Sequence, residues 1–267
     1  QLIVSAVPCQ YLRAVWSAIA PHMPESVPVV SVTKGIENGT LLRPTQIIQQ
    51  CAAQAGHAPD RVPLACLSGP SIAPEVAARK PATVVVAADD PGVAGLVQTT
   101  LSTKYFRVYT SGDLLGVELA GAVKNIIALA AGICDGIEAG DNAKASLITR
   151  GLVEITRLGH AMGAHADTFR GLAGVGDLIT TGVSQVGRNR SAGEKIGRGM
   201  TADAVVASTP SIIEGIPTTR SVLALAAKHH VELPIVSAVA SVLFDGRSPA
   251  DAIDALMTRR LREEYVA

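Results

Sequence analysis

The chain has 267 residues, 48% hydrophobic, 17% charged and only 3% aromatic, and its 23 Lys and Arg balance 23 Asp and Glu. That length allows one large or two modest domains with a sizeable aliphatic core. Zero net charge gives no argument for nucleic acid or an anionic membrane surface as a partner.

The first 110 residues alternate strand and helix patterns. Leu2–Val7 is an apolar run ending at Pro8, and Tyr11–Ala20 reads as helix. Val27–Val32 is a β-branched run that stops at Thr33-Lys34-Gly35, and Thr45–Ala55 is helical. Val62–Leu67 is strand-like and ends in Ser68-Gly69-Pro70-Ser71, before a short helix at Ile72–Ala78. Ala82–Ala88, helical Pro91–Leu101 and a last strand at Phe106–Tyr109 follow. Continuous apolar strands alternating with helices predict an α/β fold, a doubly wound parallel sheet covered on both faces. From Gly112 the strand signals stop. Helical runs follow at Gly116–Ile137, Ala145–Met162, Ala192–Gly197, Thr218–His229, Ile235–Phe244 and Pro249–Met257. The predicted organisation is a nucleotide-binding type domain over 1–111 and an all-helical domain over 112–267.

Cys9, Cys51, Cys66 and Cys134 are far apart and form no CxxC, which predicts buried thiols in a reducing cytoplasm, without disulfide or zinc. No His pair has metal-ligand spacing, and no metal is expected. The long apolar helix carries Glu118, Lys124, Asn125 and Asp135, so it is not expected to span a bilayer.

The chemistry concentrates in a few places. Lys124 and Asn125 interrupt the apolar positions Leu119, Val123, Ile126, Ile127 and Ala130 of the long helix. A lysine leaning back over Ala120 and Gly121 either reaches a shielded cleft, where desolvation lowers its pKa, or snorkels to solvent. Lys34 sits just past a strand end, where open α/β sheets bind ligands, or in a plain surface turn. The Ser68–Ser71 turn offers hydroxyls and backbone N–H groups to an anion, or Ser71 merely caps a helix. In Gly171–Thr181 three glycines precede Asp177, and Asp177 and Thr181 share a helix face. Gly187-Arg188-Asn189-Arg190 suits a phosphate, or is a solvated basic turn. Glu214, in Ile212-Ile213-Glu214-Gly215, is a loop charge. Together these residues form a set for proton transfer on a small phosphorylated substrate.

The string GVELAGAVKNIIALAAGICDGIEAGDNAKASLITRGLVEITRLG, with SVTKGIE, LSGPSIAPEVA, FRVYTSGDLLGVE, LAGVGDLITT, GRNR and IIEGIPTT, closely resembles the NAD(P)-dependent glycerol-3-phosphate dehydrogenases of the bacterial biosynthetic type. The likeness runs in order from about Leu2 to about Phe244. It implies a partial Rossmann-like sheet plus a helical C-terminal domain. It also implies reversible reduction of dihydroxyacetone phosphate to sn-glycerol 3-phosphate with NAD(P)H, for glycerophospholipid synthesis, by a cytoplasmic homodimer. By the same resemblance Lys124 is the proton donor and acceptor. Lys34 lies by nicotinamide and substrate, and Gly69, Ser71, Asn125, Asp177, Gly187, Arg188 and Asn189 contact the substrate. Ala73, Arg188, Ile212 and Glu214 contact the cofactor, and Asp177 is expected to orient Lys124.

Two departures stand out. The family's opening strand and GxGxxG turn are not in this chain, which starts without Met directly in LIVSAV, so that portion is expected upstream of Gln1. Gly187 stands where many bacterial members carry serine. The alternatives are another two-domain dehydrogenase, of 3-hydroxyacyl or ketopantoate type, and a non-catalytic dimerising or ligand-binding protein.

Overall fold

The structure is a computed structural model, and it describes residues 1–261, 263 and 264. Residues 262 and 265–267, the end of the predicted second domain, lie outside the described residues. The sheet strands are β1 (Ile3–Ser5), β2 (Val29–Ser31), β3 (Leu64–Ser68), β4 (Ala82–Ala87) and β5 (Phe106–Ser111), lying side by side in that order. The helices interleaved with them are α1 (Cys9–Ile19), α2 (Pro44–Gln54), α3 (Ala73–Ala77) and α4 (Pro91–Leu101).

Adjacent residues of β2 point to opposite faces, as the pleat requires. Val29 joins Leu12, Trp16, Ile47 and Ile48 beneath α1 and α2, while Val30 joins Val84, Val93 and Val97 beneath α4. Both faces are therefore covered, and the doubly wound class holds. One pairing departs from an all-parallel sheet: β3 and β4 run antiparallel, while the other three pairings are parallel. The link 69–81 contains only the five-residue α3, too little to cover a face and return the chain in parallel. Gly69 turns the chain at φ +138°, and a Cβ there would lie 2.9 Å from Val84 Cα. Only glycine permits both the angle and the approach.

After Ser111 the described chain is helical: α5 (Leu114–Gly136), α6 (Asp141–Ala161), α7 (Ala166–Arg170), α8 (Asp177–Val183), α9 (Arg188–Gly197), α10 (Ala202–Ala207), α11 (Gly215–Lys228), α12 (Pro234–Phe244) and α13 (Pro249–Met257). The short α7 and α10 have no counterpart among the expected helices, while α8 carries the Asp177 and Thr181 face read from their spacing. A π-helical turn, Leu172–Gly176, leads into α8. Helix α5 is long and apolar enough to cross a membrane by length and composition, yet 94% of its most apolar window is buried inside the protein. Asp113 caps it, accepting from Gly116 N at 2.8 Å and also from His165 N and Thr168 Oγ1.

Helices α5 and α9 touch backbone to backbone. A Cβ on Gly132 would fall 1.9 Å from Arg190 O, and one on Gly193 would fall 2.0 Å from Leu129 O. This contact locks α9 against the helix that carries Lys124.

Candidate active site

Lys34, Lys124 and Asp177 come together from three elements. Lys34 follows β2, Lys124 lies in the middle of α5, and Asp177 opens α8 after the π-helical turn. Gly174 permits that turn, because a Cβ there would lie 2.0 Å from Phe169 O. Asp177 Oδ2 accepts from Lys34 Nζ at 2.5 Å, and Oδ1 accepts from Lys124 Nζ at 2.7 Å. Asp177 is thus an ion-pair partner and not the helix cap, the cap position being Gly176.

Lys124 Nζ has a second acceptor, Thr181 Oγ1 at 2.5 Å. Thr181 donates its own hydroxyl proton to Asp177 O at 2.7 Å, which leaves its lone pairs to the ammonium. Two of the three Lys124 N–H bonds are thereby directed, and one remains. Sequence spacing placed Thr181 on the Asp177 face, but its partnership with Lys124 was missed.

The electrostatics follow from burial. Lys124 is 5% exposed. Desolvation first, and then the like charge of Lys34, lower its pKa to about 7, against the opposing pull of Asp177. Burial works to raise Asp177, but Lys34 and Lys124 outweigh it and hold this carboxyl below the usual range. Two cations share one anion, so the cluster carries an excess positive charge when Lys124 is protonated. Gly121 makes room for Lys34 and Ser68: a Cβ there would lie 2.9 Å from Ser68 Oγ and 3.5 Å from Lys34 Cγ.

The GRNR segment is not a turn but the first turn of α9, with Gly187 at the N-cap. Its two arginines part company. Arg190 pairs with Asp135 at 2.7 Å and with Glu194, away from Lys124, whereas Arg188 is exposed. Ser191 N returns to Gly187 O, so the backbone N–H groups just before it have no intrahelical acceptor.

Asn125 and Asn189 do not join the lysine cluster. Asn189 Nδ2 donates to Asn125 Oδ1 at 3.0 Å, and Asn189 Oδ1 accepts from Gly215 N at 2.9 Å. Glu214 Oε1 accepts from Cys9 N at the start of α1, 3.0 Å away. Its other oxygen is buried without a partner and faces Gly35, where a Cβ would lie 3.2 Å from it. Burial, opposed by the Cys9 N–H and Arg188, raises the Glu214 pKa. Ser71 Oγ donates back to Gly69 O at 3.2 Å, and it does not cap α3. Ala73 is exposed at the start of α3, and Ile212 is half-buried beside Ile213. Ser68 Oγ is a further buried, unpartnered polar atom. Open buried acceptors at Glu214 and Ser68, around the Gly35 and Gly69 turns, fit a polar ligand bearing amide and hydroxyl groups.

A mostly parallel sheet, a helical domain and a buried, half-neutralised ammonium between them define a two-domain dehydrogenase. Residues 1–94 match the NAD-dependent glycerol-3-phosphate dehydrogenase N-terminus family, and residues 113–254 match the corresponding C-terminus family. A Thermobifida fusca protein, glycerol-3-phosphate dehydrogenase of the NAD(P)+ type, is 47% identical over 261 residues, 98% of this chain and 76% of that protein. A Salinibacter ruber protein of the same name, numbered 1, is also 47% identical, over 97% of this chain and 75% of its own length. The crystal structure of the Coxiella burnetii glycerol-3-phosphate dehydrogenase superposes with a TM-score of 0.90 at 36% identity, covering 97% of this chain and 77% of that one. The chain belongs to the NAD-dependent glycerol-3-phosphate dehydrogenase family and is an enzyme of that type.

Proposed function

We propose that the protein reduces dihydroxyacetone phosphate to sn-glycerol 3-phosphate, reversibly, with NADH or NADPH, and that Lys124 gives and takes the proton. The observation that carries this reading is the single carboxylate of Asp177 shared by two lysines at 2.5 and 2.7 Å. Such a cluster is complementary to an oxygen that gains negative charge, as a carbonyl oxygen does when its carbon is reduced. The undirected third N–H of Lys124 donates to that oxygen. A pKa of about 7 lets the same nitrogen give the proton in reduction and take it back in oxidation at neutral pH. After the transfer, Lys124 is neutral and Lys34 with Asp177 remains as a balanced ion pair, so no uncompensated charge stays buried.

The bound nicotinamide cofactor supplies or accepts the hydride. Lys34, Ala73, Arg188, Ile212 and Glu214 would hold it. Arg188 and the free N–H groups of the first α9 turn, beside Gly187, take the substrate phosphate. Gly69 and Ser71 contact the substrate from the turn after β3. Asp177 orients Lys124 while tempering the fall in its pKa.

We assign residues 1–111 to the cofactor half and 112–267 to the substrate half, and we place the enzyme in the cytoplasm, where four buried free thiols are at home. Its product supplies glycerophospholipid synthesis, and it acts as a homodimer, which light scattering on the purified protein checks. The decisive assay follows reduced-nicotinamide absorbance with dihydroxyacetone phosphate, run beside Lys124→Met. Turnover by the wild type with a nearly dead variant supports the reading. Equal rates in both would remove Lys124 from the chemistry.

A further inference from the structure

The two buried asparagines have their hydrogen-bonding capacity directed at each other and at the backbone. Asn125, beside Lys124 on α5, is 4% exposed, and Asn189, in the first turn of α9, is 8% exposed. Asn189 uses both ends of its amide: Nδ2 donates to Asn125 Oδ1 at 3.0 Å, and Oδ1 accepts from Gly215 N at 2.9 Å. Gly215 is the only side-chain-free way to bring that N–H so close. A Cβ there would lie 2.5 Å from Leu129 Cδ1, 2.8 Å from Asn125 O and 2.9 Å from Asn189 Oδ1. The residue before Gly215 is Glu214, whose carboxylate reaches across to Cys9 N of the sheet domain at 3.0 Å.

A continuous series of bonds therefore runs from α5, through the first turn of α9, to the Glu214 loop and on to α1. Its parts differ in freedom. Helices α5 and α9 are locked by glycine-to-backbone contacts at Gly132 and Gly193. The Glu214 loop is held to them at this point by the single Asn189 acceptor and by packing. The two bonds that share the Asn189 amide polarise one another, so loss of one weakens the other, and the covalent backbone carries the series on from Gly215 to Glu214.

We propose that Asn125 and Asn189 are positioning residues forming a relay that couples cofactor binding at the Glu214 loop to substrate binding at the N-terminus of α9. This rests on the reading of those two ends given under the proposed function. A ligand that fixes Glu214 against α1 fixes Gly215, and through Asn189 it fixes the turn that receives the phosphate. By linkage the substrate tightens the cofactor by the same factor. A side chain that only touched substrate would lower substrate affinity and leave that factor alone.

The test uses the full-length enzyme and the non-reacting pair NADH with sn-glycerol 3-phosphate. NADH affinity is measured by fluorescence with and without saturating sn-glycerol 3-phosphate. The wild type should show tightening of at least about 5-fold, the low end of ordinary coupling. Asn125→Leu, which removes the acceptor of Asn189, should reduce the ratio to below about 2-fold. Asn189→Ser, too short to reach Gly215 N, should do the same and serves if the leucine variant does not fold. Asn125→Asp keeps an acceptor for Asn189 and should retain the coupling. A ratio unchanged in Asn125→Leu or Asn189→Ser, or no coupling in the wild type, overturns the relay. Failure of the wild type to bind either ligand overturns the underlying functional reading and the relay with it.

Discussion

Two buried carboxylates join the sheet half of this protein to its helical half, and they are built to opposite ends. Glu118 on α5 receives Thr45 N at 2.8 Å, Thr45 Oγ1 at 2.7 Å and the Arg43 guanidinium, so one anion meets one cation and two neutral donors. Asp177 meets two lysines instead. Burial raises the Glu118 pKa in spite of Arg43, whereas Asp177 is held low because its two cations outweigh burial. A balanced pair with both carboxylate oxygens bonded is a clamp. An unbalanced set with a spare N–H awaits a further anion, and that charge count separates a structural cluster from a chemical one.

The largest expected effect breaks the unbalanced set. Lys124→Met should cost about 10²–10⁴-fold in kcat, the range for removing a general acid, with little loss of thermal stability. It removes a desolvated charge together with its bonds to Asp177 and Thr181, and Asp177 keeps Lys34 as its partner. Glu118→Ala should show the inverse pattern. It leaves the Arg43 charge and the Thr45 N–H without their acceptor, costing about 3–5 kcal/mol in denaturant unfolding. The folded fraction should keep kcat within a few-fold of wild type, since Glu118 touches neither lysine. A kcat loss in Glu118→Ala comparable to that of Lys124→Met would erase the distinction.

The pH profile sharpens the comparison further. Lys124 must be protonated to reduce a carbonyl, so kcat for reduction should fall about 10-fold per pH unit above about 7, while oxidation should rise through the same region and level off. Two variants should move this limb in opposite directions. Asp177→Asn removes the charge that raises Lys124, so the limb shifts to lower pH. Lys34→Met removes the like charge that lowers it, so the limb shifts to higher pH. Stability carries the matching sign. Between about 7 and the ordinary lysine value of 10.5 the unfolded chain holds a proton that folded Lys124 has released, so this lysine's unfavourable contribution shrinks as pH rises through that window.

Much of the lysine cluster was legible in the sequence, whereas the Glu118 clamp with Arg43 and Thr45 was not. Asp177 and Thr181 fall on one face by spacing alone, and Lys124 stands out because it interrupts an apolar stripe. The strands were legible as apolar runs; the earlier ones were overestimated in length, while the last, read as Phe106–Tyr109, continues to Ser111. Val27–Val32 reads as six residues, while only Val29–Ser31 pairs in the ladder, because Pro28 has no N–H to give and the chain turns away at Thr33. Pairings set by the tertiary fold left no local trace. Arg190 looks like half of a phosphate clamp until α5 presents Asp135 to it, and the bond from Asn189 to Asn125 has no signature in the sequence spacing. The start of α9 was missed because glycine at its N-cap and charged residues in its first turn give no apolar period.

That N-cap supplies the smallest expected effect. Gly187 has φ −70°, an ordinary angle for any residue, so serine adds no backbone strain there. Its Cβ would lie 3.2 Å from Ser184 O and 3.3 Å from Thr181 O, contacts close enough to require a shift of a few tenths of an ångström. Against that cost, a serine hydroxyl at an N-cap satisfies one first-turn N–H, a gain of about 0.5–2 kcal/mol over a residue that cannot cap and only a few tenths over glycine. The two terms nearly cancel, so Gly187→Ser should change unfolding free energy by less than about 1 kcal/mol. Its effect on the substrate should be larger in kind than in size. A hydroxyl at the end of α9 adds one donor where the phosphate is proposed to sit, and KM for dihydroxyacetone phosphate should fall by no more than about 10-fold, the equivalent of a single good hydrogen bond. The pH limb should stay where it was, because Gly187 makes no contact with Lys124 or Lys34. A displaced limb would mean that the first turn of α9 acts on the lysine pair and not on the phosphate alone.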